Sequence, residues 1–185
     1  GERKMKIMFI SDLHGSAYYA KKIAEIYNDF MPERVVSVGD LLYHGPRNDL
    51  PEGYDTKETT KILNSFKNKM IAVRGNCDSE VDQMVLEFPM MADYTVISAD
   101  GLDMFVTHGH LFDPDNLPQN CGQVFISGHI HIPVMEEKDG VLVLNPGSCA
   151  LPKEGNPPSL MLYENGEFKI IEIETGKEIK KFKKN

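Results

Sequence analysis

The chain has 185 residues, 41% hydrophobic and 26% charged, which is enough material to bury a core and argues against disorder. With 20 basic against 28 acidic side chains the formal charge is -8, so the basic footprint of a bulk nucleic-acid binder is missing and polyanions would be repelled unless bound cations reverse the field locally. No stretch nears the roughly 18 apolar residues of a membrane span.

The basic opening Glu2-Arg3-Lys4 leads only into a short apolar run over 7–10, too brief for a signal-peptide core. Residues 6–11 read as a strand buried on both faces, being a near-continuous apolar run. Ser16 is a plausible N-cap, and Ala20, Ile23, Ala24, Ile26, Tyr27 and Phe30 follow at helical spacing. Residues 34–38 predict a second strand. A second helix is expected over 56–66, with Thr59, Ile62, Leu63 and Phe66 inward, and strands are expected over 70–73, 102–107 and 123–127.

The pattern then changes. Asp100-Gly101, Asp139-Gly140 and Asn165-Gly166 each sit between apolar or alternating segments and predict hairpin turns. Residues 152–158 form a Pro- and Gly-rich loop, and Lys177, Lys180, Lys181, Lys183 and Lys184 fit a solvated terminal strand better than a ligand site. Helix–strand alternation followed by hairpins points to a layered α/β sandwich with more than one sheet, in one domain spanning 1–185. Cys77, Cys121 and Cys149 are odd in number and form no CxxC pair, which argues for a reducing, cytoplasmic setting.

The informative residues lie just after the expected strands. Asp12 and His14 follow the first, Asp40 the second, Asn76 the third, His108 the 102–107 strand, and His129 with His131 the 123–127 strand. Loops at the carboxyl ends of strands in an open α/β sheet face a common crevice, so five loops distant in sequence can converge. Carboxylates, imidazoles and one amide oxygen suit a borderline divalent ion, manganese first, with Ni, Co, Fe or Zn as alternatives, and no thiolate cluster competes. Seven such ligands exceed what one ion takes. Two ions about 3.5 to 4 Å apart sharing a carboxylate would use them all. Gly39-Asp40, Gly75-Asn76, His108-Gly109 and Gly128-His129 each set a glycine beside a candidate ligand, where tight turns and close backbone approach are needed.

In Asp12-Leu-His14, Gly39-Asp40, Gly75-Asn-Cys-Asp78, His108-Gly109 and Gly128-His-Ile-His131, in that order, the chain resembles the calcineurin-like metallophosphoesterase superfamily. His44-Gly-Pro-Arg-Asn48, the segment from Val73 to Met84 and Thr107-His-Gly-His-Leu-Phe112 look like its bacterial YfcE-type phosphodiesterases. The resemblance implies a four-layer αββα sandwich of two mixed β-sheets flanked by helices. It also implies that Asp12, His14 and His131 hold one ion, that Asn76, His108 and His129 hold the other, and that Asp40 bridges them. A metal-bridging hydroxide would attack a small phosphodiester, with Asn76 helping to stabilise the phosphoryl oxygens. Asp78 is expected to orient a histidine from outside the ligand set.

Many relatives carry histidine where this chain has Cys77, a poorer proton donor to a leaving group, so diesters with good leaving groups should outrun alkyl monoesters. Arg47 is the better placed of two arginines to pair with phosphate, and His110, like His44, stands between substrate contact and a structural role. Met84, Met90 and Met91 are expected to fill gaps under a loop, and Cys121 and Cys149 to be inert. Asn145-Pro-Gly-Ser148 is either a turn bordering the site or merely a turn. Two alternatives to a diesterase remain: a non-catalytic interaction scaffold, as the retromer scaffold subunit shows for this general fold, and a broader phosphomonoesterase. The partner expected is a small phosphate ester, with neither nucleic acid nor membrane; homo-oligomerisation is compatible with the sequence.

Overall fold

The computed structural model describes residues 4–184; the opening residues 1–3 and residue 185 lie outside the described residues. Lys6–Ile10 forms β1, Arg34–Ser37 β2 and Met70–Ala72 β3, paired in parallel. Between them run α1, Ala17–Phe30, and α2, Thr56–Ser65, followed after β3 by a short α3, Glu80–Val85. Ser16 caps α1 by accepting from Tyr19 N at 3.1 Å, and Asp55 caps α2 by accepting from Glu58 N at 3.0 Å.

Further along lie β4 (Tyr94–Ala99), β5 (Leu102–Thr107), β6 (Val124–Ile126), β7 (Pro133–Lys138), β8 (Val141–Pro146), β9 (Ser159–Glu164), β10 (Glu167–Glu172) and β11 (Glu178–Lys183). Two mixed sheets result, in the orders β11-β10-β9-β1-β2-β3 and β4-β5-β6-β8-β7. The three expected hairpins join β4 to β5, β7 to β8 and β9 to β10. The lysine-rich terminus is the exposed edge strand β11.

Strand periodicity divides the core. Ile7 and Phe9 of β1 point between the sheets, against Met104, Val106, Val124, Ile126, Leu142 and Leu144. Met8 and Ile10 point the other way, onto Ala20 and Ile23 of α1 and Leu63 of α2. Helices therefore cover the first sheet, with Thr59, Leu63 and Phe66 buried as expected. Over the second sheet, Phe105, Phe125 and Val143 are buried by Cys121, Phe112 and Leu117 of the segment between β5 and β6, so a loop stands where the resemblance implies a helical layer. Met90 is buried in the helix-side core and Met91 packs on it, whereas Met84 is 84% exposed and fills no gap.

Candidate metal centre

Parallel pairing of β1 with β2, of β2 with β3 and of β5 with β6 sends the loops after these strands to one end of their sheets. The sheets then contribute different chemistry. Asp12, His14, Asp40 and Asn76 come from the first, and His108, His129 and His131 from the second. Asp12, His14, Asp40, His108 and His131 are buried, and Asn76 and His129 lie toward solvent.

The imidazoles are aimed by backbone carbonyls. His14 Nδ1 lies 2.7 Å from Tyr43 O, His108 Nδ1 2.8 Å from Val38 O, and His131 Nδ1 2.6 Å from Leu151 O. A carbonyl only accepts, so each Nδ1 donates and each neutral ring turns its Nε2 lone pair inward. These Nε2 atoms converge on the two carboxylates. Asp12 Oδ1 is 3.2 Å from His131 and 3.7 Å from His14, and Asp40 Oδ2 is 3.2 Å from His108 and 3.7 Å from His14. Asn76 Oδ1 stands 3.0 Å from His108 Nε2 and 2.9 Å from His129 Nδ1.

Three groups emerge in which the donor atoms lie within 4.8 Å of one another: Asp12, His14 and His131; Asp40, His108 and His129; and His14, Asp40 and Cys77. Their fit to a cation can be judged from what the donors lack. Asp12 Oδ1 is buried without a hydrogen-bond partner, and the Nε2 atoms of His14 and His131, both inward-facing lone pairs when neutral, are 3.3 Å apart. Lone pairs brought this close repel unless a proton or a metal ion lies among them. The donor set therefore fits divalent metal.

Without metal, the carboxylates shift neighbouring rings toward the protonated form. Burial alone would lower the pKa of His108, but the Asp12 and Asp40 carboxylates outweigh it and raise the ring to about 9. His14 is likewise raised, its burial outweighed by Asp12 and, more weakly, Asp40. Burial would raise Asp12, yet the facing His108, His131 and His14 hold it well below the usual carboxylate range. His129 and His110 are lowered by burial and by the charge on His108.

The supporting groups explain the local sequence. Asp78 does not orient a histidine: its carboxylate accepts from Asp40 N at 2.9 Å, Gly75 N at 2.7 Å and Leu41 N at 3.1 Å, tying two loops together. The other Asp12 oxygen accepts from Ser11 Oγ at 2.5 Å and His129 N at 3.0 Å. The turn after β8 borders the site, since Ser148 Oγ donates to Asp12 O at 2.7 Å and Asn145 Nδ2 to Gly128 O at 2.9 Å. Two glycines mark close approach: a Cβ on Gly75 would overlap Asp40 Oδ1, and one on Gly128 would overlap Ser11 Oγ.

A cavity of about 1160 Å³ opens from the cluster. Arg47 lines it, as does Lys153, which the sequence did not single out because a lone lysine in a Pro/Gly loop carries no pattern. His110 does not line it; its ring packs against those of His108 and His129, with centroids 5.5 and 6.3 Å apart. His44 sits between Tyr43 and Tyr54. Cys77 lines the cavity and donates its backbone N–H to Asp40 Oδ1 at 2.8 Å. Burial and the charges of Asp40 and Asp78 push its thiol up to about 12. Cys149, fully buried, is likewise pushed up to about 12, and Cys121 is buried.

Residues 5–167 match the calcineurin-like phosphoesterase superfamily domain. Phosphodiesterase YfcE of Escherichia coli K12 is 45% identical over 170 residues, covering 91% of this chain and 92% of that protein. Phosphodiesterase MJ0936 of Methanocaldococcus jannaschii is 30% identical over 182 residues, covering 92% of this chain and all of its own length, 100%. The solved structure of the E. coli YfcE phosphoesterase superposes with a TM-score of 0.94 at 43% identity, over 98% of this chain and 100% of that one. Vacuolar protein sorting 29 from Cryptosporidium parvum shares the fold alone, with a TM-score of 0.70 at 21% identity over 98% of this chain and 99% of that one. The chain therefore belongs to the calcineurin-like phosphoesterase superfamily, as an enzyme of its YfcE-type phosphodiesterases.

Proposed function

We propose that the chain hydrolyses a small phosphodiester at a centre of two divalent ions, with Asp12, His14 and His131 holding one, Asn76, His108 and His129 the other, and Asp40 shared between them. The observation that carries this is the buried, partnerless Asp12 Oδ1 facing converged imidazole nitrogens. Manganese leads among the candidate metals, since carboxylate, amide and imidazole donors without thiolate suit ions of its class. When bound, the metals supply an activated water and neutralise charge on the phosphoryl oxygens.

The chain's own residues do the rest. Carbonyls of Tyr43, Val38 and Leu151 keep three imidazoles in the tautomer that can donate a lone pair inward. Asn76, at the solvent side of the cluster, offers its amide NH₂ toward a phosphoryl oxygen while its Oδ1 faces the histidines. Arg47 reaches an anion in the same cavity. Cys77 stays a neutral thiol at neutral pH, so it protonates a leaving alkoxide less readily than an imidazolium and favours esters with good leaving groups.

Among the described residues no helix is long and apolar enough to cross a membrane. A cytoplasmic location is part of the same proposal, supported by three cysteines that are all free thiols.

The test is hydrolysis of bis(p-nitrophenyl) phosphate by metal-stripped protein, with Mn, Ni, Co, Zn or Mg restored in turn. Turnover that returns with metal, highest with Mn, supports the proposal. Activity indifferent to metal sinks the mechanism, and tight metal binding without turnover favours a scaffold.

A further inference from the structure

The cavity is much larger than a bare phosphate group requires. At about 1160 Å³ it matches or exceeds the roughly 300–1,000 Å³ of sites for drug-sized ligands. The metal cluster occupies one end. From there the space runs between the 42–57 segment, which contributes Tyr43, Pro46 and Tyr54, and helix α3, which contributes Val81 and Val85.

Helix α3 is unusual in burying none of its residues. Val81 and Val85 are spaced i and i+4, so they share one face, and both line the cavity. They are 68% and 49% exposed, and Tyr43 opposite is 43% exposed. Apolar side chains left uncovered on both walls of a concave site, continuous with a reactive centre, are complementary to an apolar ligand group rather than to a hydrated one. The lining beyond the donors is mixed, with Thr56, Thr60 and Asp82 beside the apolar side chains, and Arg47, Lys57 and Lys153 add positive charge suited to the single anionic charge of a diester.

We infer that one alcohol of the phosphodiester substrate carries a bulky apolar arm, which lies in the cleft between Tyr43 and Tyr54 on one side and Val81 and Val85 on the other. This rests on the phosphodiesterase function proposed above and deepens it by naming the class of ester. A methyl ester leaves these surfaces wet, whereas an aryl or long alkyl ester covers them at a gain proportional to the apolar area removed from water.

The test measures binding, so it does not depend on turnover. The manganese-loaded protein is titrated calorimetrically with dimethyl phosphate, methyl phenyl phosphate and methyl octyl phosphate. Methyl phenyl phosphate should bind about tenfold or more tightly than dimethyl phosphate. In the Val81→Ser/Val85→Ser double variant that ratio should fall below about threefold. In Val81→Leu/Val85→Leu it should survive, and Met84→Ser, on the same helix but outside the cavity, should leave it unchanged. Because α3 buries no side chain, an unchanged melting temperature is expected for all three variants.

A ratio near one in the unaltered protein, or one that persists in the serine variant, overturns the inference. Preference for octyl over phenyl assigns an aliphatic arm, and the reverse an aromatic one; either supports it. Failure to hydrolyse any diester with any metal counts instead against the catalytic proposal, so the two failures are distinguishable.

Discussion

The two ends of the sheets adopt the same uncommon backbone conformation for different reasons. At the hairpin end Asp100, Asp139 and Asn165 have φ of 51°, 50° and 53°, and each is followed by a glycine that is also positive. Two-residue hairpins demand this geometry, and Asp, Asn and Gly supply it cheaply. A Cβ placed on Gly101 or Gly140 would meet nothing within 4 Å. At the cluster end Asp12, His14, Asp40, His129 and His131 have φ of 54°, 50°, 58°, 71° and 60°, and all but His129 are buried. Turns account for only two of them: Ser16 N bonds Leu13 O at 3.1 Å around His14 and Gly15, and Ile130 N bonds Gly128 O at 2.8 Å around His129. Long-range bonds hold the same loops, among them Asp12 N to Gly39 O and His14 N to Asp40 O, each 3.0 Å. Left-handed backbone costs on the order of 1 kcal/mol per residue, so the strained end is expected where geometry serves chemistry.

The comparison can be broken most severely at Asp40, the carboxylate proposed to be shared. Asp40→Asn keeps the shape but removes the charge between the two donor groups, and kcat/KM should fall by about 10³-fold or more, the equivalent of several kcal/mol of lost charge stabilisation. Steady-state kinetics with saturating Mn checks it, and a loss under tenfold would show that Asp40 is not shared between ions.

Metal should relieve the strained end and leave the hairpin end untouched. At about 1,000 times Kd, bound metal adds about 4 kcal/mol, which for a chain of this size raises Tm on the order of 10 °C. Calorimetric melts before and after chelation test this; equal midpoints would mean the cluster binds no ion tightly.

Glycine replacements sharpen the contrast. Gly128→Ala drives a methyl into Ser11 and toward Asp12 Oδ2, and should cost about 2–3 kcal/mol. Gly101→Ala meets no neighbour and bears only the cost of its φ of 78°, about 1 kcal/mol. Urea melts of the two variants should rank in that order.

Protons give the smallest effect. With its pKa raised to about 9, His108 is protonated in the metal-free protein at neutral pH. A bound ion must displace that proton, so apparent metal affinity should rise with pH and level off above about 9, by up to about tenfold per pH unit for each proton released. The sign for stability of the metal-free protein is opposite: the contribution of His108 is fully present below the unfolded value and is lost as pH rises through about 9. Titrations at pH 7.5 in buffers of different ionisation enthalpy should report proton release, and none would contradict the raised ring.

The strands that carry the cluster were legible because each is an apolar run ending in a glycine-flanked polar residue, a local signal. The hairpins were legible because Asp-Gly and Asn-Gly permit little else. Helix α3 was not, because it is only 6 residues long and buries none of them, so its apolar pair Val81 and Val85 is too short a pattern to read. Nor was Asp78's bonding to three backbone N–H groups, since nothing in Asn-Cys-Asp says which neighbour will lie beneath it.

What the amino-acid order determined by itself is therefore the set of donors and the ends of the strands that present them, because both depend on short-range patterns. Only the tertiary structure decided that the carboxylates come from one sheet and most imidazoles from the other, which rings are aimed by which carbonyls, and that α3 lines the cavity that opens from the donors. Those features arise where residues far apart in sequence meet, and no local preference encodes the distance between them.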